Sequence, residues 1–500
     1  CTVLNGTYCQ ITGYTGTATR VNIPSEIDGY IVQSIGNNAF KGNTTLTTVV
    51  FPESVETMGS NVFYGCASLT DVRLNEGLTN IGSYTFYGCT ALQSITLPGT
   101  ITDIGAYAFR GCTGLSTVNL PEGLLTIQHE VFNGCTALVS ITLPDSVEGI
   151  GYRVFENCTK LNSINYPLNW SRTITCSNYT GVNVNGQIFT GCTSLKKIEV
   201  PEGVTAIPSY AFNGCSNLEE VVLPGTLTSI GAYAFYGCSK LKAIEIPETV
   251  SSVGSNAFQS CTSLTEVVLP GALTSVPSSI FNGCTGLRTV TVSTGTTNID
   301  SNAFQGCTGL STVNLPEGLL TIQHEVFNGC TALVSITLPD SVEGIGYRVF
   351  ENCTKLNSIN YPLNWSRTIT CSNYTGVNVN GQIFTGCTSL KKIEVPEGVT
   401  AIPSYAFNGC SNLEEVVLPG TLTSIGAYAF YGCSSLEKIW IDQSVSSIGS
   451  SAFANCSVLT IHGIEGSYAE TYATSNNIPF STEIMVYPTS SIEGIVVDAE

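Results

Sequence analysis

Apolar and polar residues alternate in short stretches that recur along nearly the whole chain. In one unit the polar Lys197 and Glu199 flank the apolar Ile198, a period of two that predicts a β-strand with one buried face. Pro201 ends this strand, because proline has no N–H for a ladder. A second short apolar segment follows, so each unit is expected to form a coil. One side of the coil carries the sheet, and the other carries short strands and turns or short helices.

A phenylalanine marks every coil, and a cysteine follows it by three residues in every coil except the first. The spacing is 23 residues, except at two places where it is 34. A coil this short cannot bury its own apolar side, so neighbouring coils must stack and share inner columns. The fold class is therefore a repeat solenoid of about 18 coils, marked by Phe40, Phe63, Phe86, Phe109, Phe132, Phe155, Phe189, Phe212, Phe235, Phe258, Phe281, Phe304, Phe327, Phe350, Phe384, Phe407, Phe430 and Phe453.

The ends of the array predict caps, which a solenoid needs to shield its terminal columns. Residues 1–39 form an N-terminal cap, with a hairpin turning at Asn5-Gly6 and a first strand at 20–24. A two-residue turn would place Thr2 opposite Cys9. The array covers 40–462, and a capping helix starting at Ser467 is expected within 463–480. Residues 481–500 are a linker or the start of a further domain.

Each of the two 34-residue units carries eleven extra residues after its strand, with the shared sequence LNWSRTITCSNYTGVNVNGQIF at 168–189 and 363–384. Loops on a rigid scaffold often carry function, although a tolerated insertion that packs back on its coil also fits. The candidate ligand-binding residues here are Trp170, Tyr179, Trp365 and Tyr374. These units lie within a 129-residue duplication, since residues 111–239 and 306–434 are identical.

Outward positions of the strands provide the other candidate binding residues, which are Lys197, Glu199, Glu220 and Trp440. An outward tryptophan is a plausible interaction hot spot. Packing under the C-terminal cap is an equally good interpretation of Trp440.

Charge and composition limit the classes of partner that the protein is expected to bind. The net charge of −19 argues against nucleic acid and anionic membrane surfaces. No apolar run is long enough for a transmembrane helix. Seventeen of the 21 cysteines occupy one slot of the repeat, which favours a column of buried free thiols over disulfides. Cys1, Cys9, Cys176 and Cys371 lie outside that column.

No catalytic or metal-binding motif is present in the sequence, so neither a catalytic residue nor a cofactor is predicted. Only three histidines occur, and His129 with its copy His324 is interpreted as a surface-turn residue. A glycan hydrolase needs paired carboxylates across a cleft, and a uniform solenoid is expected to offer no cleft.

The unit L-x-x-I-x-I-P-x-x-V-x-x-I-G-x-x-A-F-x-x-C resembles the BspA-like leucine-rich repeat, also called the Treponema pallidum type, over roughly residues 15–462. The resemblance implies a secreted or surface-attached bacterial protein without catalytic residues. Some members of that family bind host matrix proteins such as fibronectin and fibrinogen, or other microbes.

Two hypotheses for function follow. The first is an extracellular adhesion protein, expected to be a monomer, whose repeat surface binds a host matrix protein, a glycan or another microbe. The second is a structural spacer that holds a separate domain away from the cell surface. Copying whole coils would add binding valency under the first hypothesis and reach under the second.

Overall fold

The computed structural model describes residues 1–166, 186–360 and 381–484. The chain divides into two compact units, residues Cys1–Pro316 and Glu317–Glu500. Trp170, Tyr179, Trp365, Tyr374, Cys176 and Cys371 lie outside the described residues.

Each unit is a stack of coils in which successive coils contribute short strands to two parallel sheets. In the first sheet, strands one coil apart pair in register, as Ser94 does with Thr117. Its strands in the first unit are Arg20–Asn22, Thr48–Val50, Asp71–Arg73, Ser94–Thr96, Thr117–Asn119, Ser140–Ile141, Ser163–Ile164, Lys197–Glu199, Glu220–Val222, Glu266–Val268, Thr289–Thr291 and Thr312–Asn314. In the second unit they are Ser335–Ile336, Ser358–Ile359, Lys392–Glu394, Glu415–Val417, Lys438–Ile441, Thr460–Gly463 and Phe480–Ser481.

The second sheet lies on the other side of each coil and is built from shorter strands. In the first unit these are Tyr30–Ile35, Thr57–Met58, Asn80–Ile81, Asp103–Ile104, Thr126–Ile127, Gly149–Ile150, Ala206–Ile207, Ser229–Ile230, Ser252–Val253, Ser275–Val276 and Asn298–Ile299. In the second unit they are Thr321–Ile322, Gly344–Ile345, Ala401–Ile402, Ser424–Ile425 and Ser447–Ile448. The predicted repeat solenoid is confirmed, and in the described coils the second side consists of strands and turns.

The marker phenylalanines form an inner column in each unit. Rings of successive coils stack with centroids 5.1 to 5.7 Å apart and planes within 21° of parallel. The column continues past both 34-residue coils, where Phe155 lies 5.7 Å from Phe189 and Phe350 lies 5.7 Å from Phe384. Stacking of this kind adds to the hydrophobic gain of burying each ring.

The cysteines form a second inner column, as the buried-thiol interpretation predicted. Thiols of this column donate to the carbonyl of the phenylalanine one coil earlier, as Cys112 does to Phe86 at 3.0 Å and Cys238 to Phe212 at 3.3 Å. All described cysteines are free. Burial raises the pKa of the Cys112 thiol to about 12, so the thiol stays protonated and unreactive at neutral pH.

The N-terminal hairpin pairs Thr2–Val3 with Tyr8–Ile11, and Glu26–Ile27 completes that sheet with Tyr30–Ile35. The predicted register is wrong by one residue, since Thr2 faces Gln10 rather than Cys9. The cause is a three-residue turn, in which the Asn5 side chain accepts hydrogen bonds from the N–H groups of Thr7 and Tyr8 at 2.9 and 3.1 Å.

The C-terminal helix spans Tyr468–Ser475. Ser467 is its N-cap, and the side-chain oxygen of Ser467 accepts a hydrogen bond from the Glu470 N–H. The helix contacts the strands Thr460–Gly463 and Ser447–Ile448, and it buries Ala469, Tyr472 and Ala473 against the last coils.

Candidate binding surface on the first sheet

Four surface cavities lie on the outer face of the first sheet, which makes this face the best candidate binding surface. The largest, of about 780 Å³, spans the strands Ser140–Ile141, Ser163–Ile164 and Lys197–Glu199. We call it the first cleft. Its copy in the second unit, the second cleft, has a volume of about 660 Å³. Both volumes fall within the range typical of ligand-binding pockets. Two smaller cavities of about 270 and 370 Å³ lie at Asp71–Pro98 and Glu219–Glu245.

The first cleft forms where the ladder of the sheet is interrupted. The strand Ser163–Ile164 ends one ladder and Lys197–Glu199 begins the next. In ordinary coils the residue after the strand donates its N–H to a backbone oxygen one coil later, as Val200 does to Val222 at 3.0 Å. Here the Leu143 N–H donates instead to the side-chain oxygen of Asn165, at 2.8 Å.

The same asparagine also satisfies the other backbone group of Leu143. Its side-chain N–H donates to the Leu143 carbonyl at 2.8 Å. One side-chain amide therefore replaces a peptide unit of the ladder, and the backbone of Asn165 is released to leave the sheet where the insertion begins. Asn360 makes the same two bonds to Leu338, each at 2.8 Å.

The chain rejoins the coil at a glycine in both units. Gly186 pairs with Ser209 through an isolated β-bridge, and its φ is 142°. In the second unit Gly381 pairs with Ser404 in the same way, and its φ is 159°. A Cβ at either glycine would collide with the facing serine carbonyl oxygen. Glycine is therefore required at this return point.

Charged side chains line the cleft beside hydroxyl and amide groups. The Lys197 ammonium lies 2.6 Å from the Glu220 carboxylate on the next coil. The hydrogen bond and charge of Glu220, with a smaller contribution from Glu199, raise the pKa of Lys197. Because the lysine is held by carboxylates while Asp145 also lines the wall, the region is acidic. In the second unit Lys392 lies 2.8 Å from Glu415.

The sequence-predicted site residues are only partly brought together. Lys197 and Glu199 line the first cleft, and Glu220 lies on the adjacent strand. Trp440 is half-buried on the outward side of Lys438–Ile441, in register with His462, and it lines neither cleft. The capping helix contacts the neighbouring strand Thr460–Gly463. A binding role for any of these residues stays a prediction.

Sequence reasoning missed the clefts and the asparagines that open them. The expectation that a uniform solenoid offers no cleft is wrong, and the two larger cavities lie at the coils that carry the insertions. Asn165 and Asn119 occupy the same outward position of their coils, and both are exposed. Asn119 bonds Thr96 through its side chain at 3.2 Å and keeps its backbone in the ladder. Only the adjoining insertion distinguishes the two asparagines in the sequence.

The interpretation of His129 and His324 as surface-turn residues is also wrong. Their exposed fractions are 2% and 4%. The His129 ring lies 4.5 Å from the Tyr152 ring, and its Nδ1 accepts a hydrogen bond from the Tyr152 N–H at 3.2 Å. Two large rings at the same slot of adjacent coils cover each other, and burial lowers the pKa of His129.

In the ranges 1–166, 186–360 and 381–484, no group of histidine, cysteine, aspartate and glutamate is arranged to hold a metal ion. Within the same described part of the chain, no helix has the length and hydropathy needed to span a bilayer.

Parallel sheets, stacked phenylalanines and one buried leucine shortly before the first-sheet position of each coil define a leucine-rich-repeat solenoid. The BspA-type leucine-rich repeat region matches residues 14–136, 81–185, 182–311, 252–375 and 368–478. The chain belongs to this family. No curated protein sequence matches the chain significantly.

Solved structures of bacterial leucine-rich-repeat proteins are similar to this chain. One from Bacteroides ovatus is 32% identical, with a TM-score of 0.59, and the match covers 76% of this chain and 88% of that one. A leucine-rich cell surface protein from Faecalibacterium prausnitzii is 22% identical to this chain, with a TM-score of 0.35. That match covers 83% of this chain and 92% of the Faecalibacterium chain.

Proposed function

We propose that this chain is an extracellular binding protein of a bacterial surface, and that it holds an extended ligand on the outer face of the first sheet. The observation that carries the proposal is the pair of equivalent clefts, each opened by an asparagine that replaces a peptide unit of the ladder. The ligand class is a glycan chain or an extended segment of a host matrix protein.

The lining of the clefts supports a polar, hydrogen-bonding ligand. Ser140, Thr142, Ser163 and Asn162 present hydroxyl and amide groups beside the charged Lys197. Such groups match the hydroxyls of a sugar or the backbone of an extended peptide. The family and fold are those of repeat proteins, which supports a binding role over an enzymatic one.

A location outside the cell is compatible with the free thiols. Disulfides are usual in oxidising compartments, yet the interior thiols of the column are buried and hydrogen-bonded. A buried thiol with a raised pKa resists oxidation. The family resemblance and the bacterial source of the Bacteroides relative support a surface location.

An array of glycans and matrix proteins, including fibronectin and fibrinogen, tests the proposal with the full chain. For any array component that binds, the double variant Lys197→Ala, Lys392→Ala should weaken binding, and so should replacement of Trp170 and Trp365. Lys41→Ala is the matched control, because Lys41 lies over the Tyr64 ring on the turn side of the coils. Binding to no component, or equal loss with the control, would contradict the proposal.

A structural spacer is the second candidate function, and the whole-coil duplication favours it. Deleting residues 111–305 removes the first cleft and keeps the repeat in register, because residue 306 begins the second copy. The binding hypothesis predicts that the number of ligands bound per chain falls from two to one. The spacer hypothesis predicts unchanged binding per chain with a shorter reach.

A further inference from the structure

Tyrosines of adjacent coils stack face to face on the turn side of the solenoid, away from the clefts. Tyr64 stacks on Tyr87 with ring centroids 4.8 Å apart and planes 3° from parallel. Tyr84 stacks on Tyr107 at 4.5 Å and 11°. All four rings are half-buried, so each pair keeps an edge open to solvent.

Two further stacks have the same geometry. Tyr210 and Tyr233 lie 4.8 Å apart at 5°. Their copies in the second unit, Tyr405 and Tyr428, lie 4.9 Å apart at 8°. The two tyrosines of each stack occupy the same position of adjacent coils, 23 residues apart, and their rings lie nearly parallel.

Cationic side chains lie against the first two stacks. The Lys41 ammonium lies 5.0 Å from the Tyr64 ring centre, and the Arg110 guanidinium lies 5.7 Å from that of Tyr107. These cations cover the outer faces of the first cluster. The contact between Tyr84 and Tyr87 is tilted by 42° at 5.9 Å, so it lacks the face-to-face alignment.

We propose that these four stacks are sites of oxidative modification, at which a one-electron oxidant such as a peroxidase with hydrogen peroxide joins neighbouring coils by dityrosine bonds. Each phenol loses one electron and one proton to give a phenoxyl radical. A carbon–carbon bond then forms between the two ring carbons beside the oxygens. The hydrogen on each of these carbons moves to its oxygen and restores both phenols, while hydrogen peroxide takes up two electrons and two protons to form two waters.

The geometry favours coupling within a stack over coupling between molecules. Two radicals held in contact react as if in one molecule, at a high effective concentration. The two half-exposed rings need only tilt toward each other at their open edges. The product would link coils that are otherwise joined by non-covalent contacts.

Trypsin makes the test specific. Tyr64 is the tyrosine of peptide 42–73, and Tyr87 lies in peptide 74–110, so their bond joins two peptides. The Tyr210 and Tyr405 stacks each lie within one peptide, 198–240 or 393–438, which differ in sequence near their C-terminal ends. Dilute full-length protein is treated with peroxidase and hydrogen peroxide, and dityrosine fluorescence and peptide masses are measured.

The expected result is a monomeric protein with dityrosine fluorescence, a linked 42–73/74–110 species, and loss of two hydrogens from 198–240 and 393–438. Tyr87→Phe keeps the ring but cannot form a phenoxyl radical, so it should abolish the linked species. The loss of two hydrogens from peptide 198–240 should still occur in this variant. Tyr30→Phe is the control and should change none of these products. Dityrosine found only between molecules, or a linked species that persists in Tyr87→Phe, would overturn the proposal.

Discussion

The chain runs 34 residues from Phe155 to Phe189, and 23 residues from Phe212 to Phe235. Inside, the two coils are nearly the same. Their phenylalanine rings stack at 5.7 and 5.3 Å, and the thiols of Cys192 and Cys238 donate to a phenylalanine carbonyl at 3.1 and 3.3 Å. The insertion therefore leaves the inner columns in place.

Outside, the coils differ. The ordinary coil extends its ladder through backbone bonds, such as the one from Val200 to Val222 at 3.0 Å. At the insertion the side chain of Asn165 takes over that bond, and a cleft opens. The inner columns therefore hold the coils in register, while the outer sheet can be interrupted and given a new surface.

High pH should have the largest effect, because it acts on the inner column of every coil. Burial raises the pKa of Cys112 and Cys158 from 9.0 to about 12. Between these values the unfolded chain loses thiol protons that the folded chain keeps, so stability falls as pH rises and is fully present below about pH 8. Each such thiol contributes a slope of up to about 1.4 kcal/mol per pH unit.

Denaturant unfolding at several pH values measures this slope. The variant Cys112→Ala, Cys158→Ala should show a shallower fall above pH about 9 than the parent chain, because two buried groups no longer titrate. Tyrosine ionisation is common to both proteins and cancels in the comparison. Equal slopes would contradict the role of the buried thiols.

Removal of one marker ring should cost the same in both kinds of coil. Phe189→Ala and Phe212→Ala each delete a fully buried ring and should lower the free energy of unfolding by about 3–5 kcal/mol. Phe407→Ala, in the identical block of the second unit, serves as an internal repeat. A much smaller cost for Phe189 would show that the insertion loosens the column.

The outer ladder should distinguish two asparagines that occupy the same slot. Asn165→Ala leaves the buried Leu143 without partners for its N–H and carbonyl, at a cost of about 1–3 kcal/mol. Asn119→Ala removes only an exposed bond to Thr96, worth about 0.5–1 kcal/mol. Chemical unfolding compares the pair, and equal costs would contradict the replacement of a peptide unit by Asn165.

The exposed ion pair should have the smallest effect on stability. Lys197→Ala breaks the contact with Glu220 on the open face of the sheet, where such pairs contribute little. Thermal unfolding should be unchanged, while ligand binding at the first cleft weakens. A lowered melting temperature would show that Lys197 supports the fold instead of the site.

The inner columns could be predicted from the sequence because the phenylalanines and cysteines recur at a fixed spacing that only stacking satisfies. The hairpin register could not, since it depends on two bonds of the Asn5 side chain. The burial of His129 depends on Tyr152 in the next coil. The clefts depend on whether an asparagine bonds a neighbouring side chain or a backbone, which residue type alone does not reveal.

Thiol alkylation of the native protein, followed by mass mapping, shows whether the inner columns run unbroken past the insertion. Cys158 and Cys192, on either side of the insertion, should react as slowly as Cys215 and Cys238 in ordinary coils, because all four are fully buried. Cys456, half-exposed in the last coil, should react faster. Rapid labelling of Cys158 or Cys192 would contradict an inner column that continues past the insertion.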